Sequence, residues 1–506
     1  LASAASRNSE LLISLNMSPI ALLACVFIYF GVLLAISYWT TRHLKSSSYF
    51  NADKGSKWYV VAFGMLGDSL SGVTFISVPG AVILTKFGYF QIVLGYFVGY
   101  FAIVFILLPV YYRLNLVSIY GYLRHRYGRF SQYTGSFFFI LSRILGSAAR
   151  LFLAASVLQL FIFDQWGIPF ALSVSIIIFL IWLYTTKGGI KTLVWTDAFQ
   201  SSLLIFGVMV SIYVIVSQLK IPWLELPSVI ARHEFSELFC WDMNSKNYFW
   251  KQFVGGAFIA ACMTGLDQNM MQKNLTCKTL GESQKNIFWF STVMLVTNMF
   301  FISLGVLLYI YTDSMGIELP LKPDGSVDSD KVFPFLAFNH LGPLASLSFI
   351  IGLTAATFSS ADSVLTTLTT SFYIDILGKD ADKDPDTKLR NLIHLSFAVL
   401  LLLAILVIKA VNTSAVIDIV LKVANYTYGP LLGLFIFGLM SKRRLHDALV
   451  PLICITSPLL AYYLDTNPPY LDGKPFQYGN TILIINGLIT VTGLLFFSCF
   501  YKQKDA

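Results

Sequence analysis

Residues 58–83 read WYVVAFGMLGDSLSGVTFISVPGAVI. The stretch is long and apolar enough to cross a hydrocarbon core of ~30 Å. Yet it carries Gly64, Gly67, Asp68, Ser69, Ser71, Gly72, Pro79 and Gly80 within one crossing. In lipid a spanning segment must satisfy its own backbone, so it has to be helical. Interrupted backbone is tolerated only where it is buried in protein or lines a cavity. A second segment of this kind covers residues 249–272, with Gly255, Gly256, Gly265 and Asp267. Paired, glycine-interrupted segments at matching places in two halves point to a transporter built from inverted repeats, with its site at the breaks.

Working outward, apolar runs recur from end to end. The expected spans are 18–40, 58–83, 88–112, 133–163, 168–186, 196–218, 249–272, 286–312, 343–377, 391–410, 414–440, 445–465 and 478–501. The two interrupted spans are five apart. The expected fold is therefore an all-α integral membrane domain of about thirteen helices. One helix (18–40) precedes a ten-helix 5+5 core (58–440), and two more (445–501) follow. Residues 1–506 are read as one transport domain.

The loops 42–57, 113–129, 187–191, 273–285, 379–390 and 442–444 are basic, and the alternate loops are poorer in Lys and Arg. Basic loops face the cytoplasm. The expectation is a multi-pass protein of the plasma or inner membrane, with the N-terminus outside and the C-terminus inside.

Composition agrees. The chain is 56% hydrophobic and 12% charged, whereas soluble domains carry about 25% charged residues. In this setting a net charge of +8 reflects cytoplasmic loops rather than nucleic-acid binding. Six scattered cysteines form no CxxC pair and give no disulfide framework. Residues 1–10 lack the features of a signal peptide. With no initiator Met, residues 1–7 read as an added leader. No nucleophile–base pair or metal-binding motif stands out, so an enzyme is not expected. No obligate protein partner is evident either.

Ionisable residues at membrane depth are costly and mark functional sites by default. The cations are Arg143, Arg150 and Lys422, and the acids are Asp68, Asp197, Asp267, Asp362 and Asp418. Asp418 and Lys422 are spaced to pair along one helix face. Residues 352–370 read GLTAATFSSADSVLTTLTT. Here Ala356, Ser359, Ser360 and Ser363 share one face. Sodium, a hard cation, takes oxygen ligands, which such a face opposite a broken helix would offer. The competing reading is that these hydroxyls only help helices pack.

Four stretches decide between these readings: SGVTFISVPGAV, YTTKGGIKTLVWTDAFQ, LDQNMMQKNL and AATFSSADS, in this order, with TYGPLLGLFIFG as a fifth. Together they resemble the solute:sodium symporter family, whose relatives carry sugars, proline, sialic acid, iodide, monocarboxylates or vitamins. The resemblance implies a leucine-transporter-like 5+5 fold and symport with one or two sodium ions. It also implies a conserved sodium site of backbone oxygens of Gly67, Leu70 and Ala356 with the hydroxyls of Ser359 and Ser360. Some members have a second sodium site, which here would comprise Asp197, Ser359, Asp362 and Ser363. The family usually shows Ser or Thr where this chain has Asp362.

The solute is expected near the midplane, between spans 58–83, 88–112, 133–163, 249–272 and 414–440. The candidates are Ser69, Ser71, Thr74, Phe87, Gln91 and Arg143, a set similar to the sialic-acid branch, where an Arg holds the carboxylate. Arg150 is the rival of Arg143, two turns away. Arg143 either binds a carboxylate bidentately or snorkels to a carbonyl. Tyr426 and Tyr428 either gate the site or simply pack.

The expected function is alternating-access import of a small organic solute with sodium, such as an acidic sugar or other carboxylate. The alternatives are a neutral sugar or amino acid, or a proton-coupled permease of the same fold.

Overall fold

The computed structural model describes residues 19–42, 48–379, 386–411, 416–471 and 473–499. Residues 1–10, parts of the basic loops 42–57 and 379–390, and the side chain of Asp418 lie outside the description. The interrupted stretch 58–83 forms two helices, α2 (Trp58–Ser69) and α3 (Gly72–Gly80), bent by 56°. Leu70 (φ −90°, ψ 67°) and Ser71 (ψ 175°) leave helical geometry. The polar run Asp68–Ser69, with Ser71 and Gly72, supplies groups that compete with the helix backbone, and glycine lowers its propensity.

Upstream lies α1 (Pro19–Thr41). Downstream run α4 (Tyr89–Ala102), α5 (Arg129–Leu158) and α6 (Phe170–Gln218). The second interrupted segment is α7 (Phe249–Ala260), a π turn and α8 (Gln268–Asn274). Asp267 is extended between them and caps α8 by accepting from the Met270 N–H at 3.1 Å. Then follow α9 (Leu280–Met315), α10 (Pro343–Ser371), α11 (Thr387–Val411), α12 (Val416–Met440), α13 (Val450–Thr466) and α14 (Ile482–Cys499).

The expected loop 187–191 is a kink inside α6 at Gly189 (φ 55°). A Cβ there would lie 2.4 Å from the Tyr49 carbonyl oxygen, so both the left-handed backbone and the close approach require glycine. Helix resumes at once, which places Asp197 well inside the second arm of α6 rather than at its start.

Among the described residues, ten helices are long and apolar enough to cross a membrane, and the bent α2–α3 pair makes an eleventh. Residues 170–186 are apolar but shorter, and 249–274 is divided into two short helices.

Two packings position the site. Helix α10 lies along α6, and its residues from Leu353 to Ser371 are all buried. Helix α4 lies along α7, where Gly95, Gly99 and Gly256 bring the backbones together. A Cβ on Gly95 or Gly99 would come within 2.1 Å of a carbonyl of α7. Small residues permit this spacing between membrane helices.

Candidate solute and ion site

The break between α2 and α3 leaves the last carbonyls of α2 and the first N–H groups of α3 without intrahelical partners. Helix α10 faces it from one side. The Gly67 N–H donates to Ser201 Oγ at 2.8 Å, and a Cβ on Gly67 would sit 2.8 Å from Ser359 Oγ. Across the break, a Cβ on Gly72 would sit 2.8 Å from Thr357 Oγ1. Hydroxyls of α10 thus touch the glycines on both sides of the break. Ala356 and Ser360 are buried on the same helix, and the Ser360 hydroxyl donates to the Thr357 carbonyl at 2.9 Å. The structure brings Gly67 and Ser359 together. Leu70 is buried at the break itself.

The set Asp197, Ser359, Asp362 and Ser363 is assembled too, with an addition absent from the sequence-based expectation. Ser359 Oγ donates to Asp197 Oδ1 at 3.1 Å. Ser363 Oγ lies 3.3 Å from Asp197 Oδ2 and 3.1 Å from Asp362 Oδ1. Among them sits the ammonium of Lys273, 1% exposed. It lies 2.5 Å from Asp68 Oδ2, 2.6 Å from Asp197 Oδ2 and 2.7 Å from Ser363 Oγ.

Lys273 was expected to begin a basic cytoplasmic loop. Instead it lies in the last turn of α8 and points into the protein. Asn269, one turn earlier, donates to the same Asp68 oxygen at 2.9 Å. The signal available in the sequence was the i, i+4 spacing of Asn269 and Lys273 on a short polar helix following a broken one. Asp362 belongs to this cluster through a further contact. Its Oδ2 accepts from the Tyr184 hydroxyl at 2.6 Å. Lys422 is exposed and lines a second pocket with Tyr426 and Asp465, whose side chains bond at 2.6 Å.

On the other side of the break lies a cavity with about 740 Å³ of empty space, part of it continuous with solvent. Ser69, Ser71 and Thr74 form its polar wall, and Tyr89, Tyr96 and Tyr100 face it from α4. Arg143 and Arg150 of α5 both line it, but they differ. Arg143 Nε donates to Asp267 Oδ2 at 2.6 Å, and its Nη2 to the Met263 carbonyl at 3.3 Å. The same Asp267 oxygen accepts from the Tyr428 hydroxyl at 2.5 Å. Arg143 is therefore tied to the break of the second interrupted segment. Arg150 has a buried Nε with no hydrogen-bond partner among the described residues.

Phe87 and Gln91 stand outside this cavity's lining. Gln91 is fully buried and fastens the segment around residues 240–247. Its Nε2 donates to the Gly88 and Asn247 carbonyls, both at 3.1 Å, and its Oε1 accepts from the Cys240 N–H at 3.2 Å.

The family model for the sodium:solute symporter family matches residues 49–451. A sodium-coupled monocarboxylate transporter 2 from Danio rerio is 25% identical over 399 residues, 75% of this chain and 60% of that protein. The chain thus spans less than two thirds of that relative's length. A sodium/sialic acid symporter from Aliivibrio fischeri is 25% identical over 430 residues, 83% of this chain and 82% of that one. The solved structure of a Na+-coupled sialic acid symporter superposes with a TM-score of 0.80 at 20% identity. That match covers 95% of this chain and 98% of the other, so the helical fold is shared. With the matched motifs running from α2 through α12, this chain belongs to the sodium:solute symporter family.

Proposed function

We propose that the chain is a sodium-coupled symporter that imports a small organic acid by alternating access. The observation that carries this is the cavity at the α2–α3 break. Its serine and threonine wall faces Arg150, a half-buried arginine whose buried Nε has no hydrogen-bond partner among the described residues. A buried, unpaired donor on a cation is costly, and a carboxylate would satisfy it with charge-assisted bonds. Relatives that carry sialic acid or monocarboxylates fit the same class of cargo.

Sodium would bind on the α10 side, through backbone oxygens of Gly67, Leu70 and Ala356 and the hydroxyls of Ser359 and Ser360. It would join α2 to α10 and favour the arrangement in which the solute cavity is formed. This reading takes residues 58–440 as a leucine-transporter-like 5+5 core. It counts residues 170–186 and the split 249–274 as crossings, which gives thirteen. It places the N-terminus outside and the C-terminus in the cytoplasm of a cell-bounding membrane.

The test is uptake into proteoliposomes with sodium replaced by choline at fixed pH, using N-acetylneuraminate, lactate, nicotinate, glucose and proline as solutes. Sodium-dependent uptake of an acid is the expected result. Uptake driven by a proton gradient without sodium would establish the proton-coupled alternative, and sodium-driven uptake of only a neutral solute would remove the role given to Arg150. Ser359→Ala/Ser360→Ala should lower the apparent sodium affinity at least about tenfold, equivalent to ~1.4 kcal/mol, and leave the protein folded. Unchanged sodium activation in that double variant would overturn the sodium-site assignment.

A further inference from the structure

The second ion site implied by family resemblance does not fit the side chains around it, because a cation of the protein already stands there. An ammonium offers three N–H donors and accepts nothing. In Lys273 all three have oxygen partners, on Asp68, Asp197 and Ser363. Two of these partners, Asp197 Oδ2 and Ser363 Oγ, belong to the set that would otherwise ligate sodium. A third candidate ligand, Asp362 Oδ2, accepts from Tyr184, and Asp362 Oδ1 lies beside the Ser363 hydroxyl. A sodium ion added here would meet the ammonium at ion-pair distance as a like charge and would have to displace it from its carboxylates.

We propose that Lys273 is the tethered cation of the second site, so that each chain binds one sodium ion. The lysine balances carboxylates from α2 and α6 and bonds a hydroxyl of α10. It holds together the three elements that a second sodium would connect, but it cannot dissociate into the cytoplasm. A second consequence rests on the symport reading given above. Carrying a monoanionic solute with one sodium ion moves no net charge. The membrane potential, which acts only on moved charge, then contributes nothing to that cycle. The sodium concentration gradient alone drives it.

Equilibrium binding of radioactive sodium to the purified full chain, with no solute present, tests the proposal. The wild type and Lys273→Arg should each bind one ion per chain with a Hill coefficient of about 1. Lys273→Met and Lys273→Gln should open the site and bind a second ion, with a Hill coefficient above 1. Two ions per wild-type chain overturn the proposal, and so does a folded Lys273→Met chain that still binds one. If neither neutral variant folds, the wild-type count decides. Absence of saturable sodium binding in the wild type would overturn the symport reading, and this proposal with it. Two ions bound would overturn this proposal alone.

Discussion

Arg143 and Arg150 lie two turns apart on α5 and line the same cavity, yet they are in opposite electrostatic situations. Arg143 is held by Asp267, and that carboxylate is further held by Tyr428 and the Met270 N–H. Lys273 resembles Arg143 in being held by carboxylates, those of Asp68 and Asp197. The Arg150 Nε is buried too but has no such partner among the described residues. A buried charge that the protein satisfies itself acts on the fold. One left unsatisfied at the wall of a polar cavity is available to a ligand. By this criterion Arg143 fastens α5 to the second broken segment, and Arg150 is the better candidate for the solute carboxylate.

The largest expected effect would break this contrast at its satisfied end. Asp267→Ala leaves Arg143 buried without its carboxylate, and breaking a buried pair costs about 3–5 kcal/mol. A pronounced fall in thermal-unfolding midpoint in detergent is expected, with Arg143→Ala also destabilising. If instead Arg143→Ala melts like the wild type and loses acid binding, the two arginines have exchanged roles.

A smaller effect is expected at the unsatisfied end. Arg150→Ala should fold normally and lose about 1.5–3 kcal/mol of affinity for an acidic solute, about 10- to 150-fold. Arg150→Lys should recover only part, because a point charge replaces a planar fork. Solute affinity in Arg150→Ala equal to the wild type, measured by calorimetry in saturating sodium, would remove Arg150 from the site.

The smallest effect concerns Gln91, which the structure ties to the segment around residues 240–247 rather than to the cavity. Gln91→Ala should destabilise by about 1 kcal/mol, seen as faster amide exchange near Cys240. Acid affinity should be unchanged. A loss of affinity without faster exchange would return Gln91 to the solute.

Much of the architecture was legible in the chain itself. The interruptions at residues 64–72 and 255–267 mark where helices break, because glycine and short polar side chains weaken the helix that lipid otherwise enforces. The hydroxyl face of α10 followed from spacing alone, and Gly67 and Ser359 do meet across the break. Resemblance to the sialic-acid branch raised Arg143, with Arg150 as its rival two turns away, without showing which one had a partner. The kink at Gly189 looks like a loop in the sequence, because a run of Gly and Lys is the same whether the chain turns in water or bends against Tyr49.

Local composition and the lipid solvent fix where most helices run, where the two interrupted segments break and which charges burial makes costly, so these were legible in the chain. Tertiary structure alone decided which charge answers which. Lys273 stands 205 residues from Asp68 and Arg143 stands 124 from Asp267. Pairing over such separations is set by how helices pack, and electrostatic satisfaction depends on ångström distances that no sequence spacing encodes.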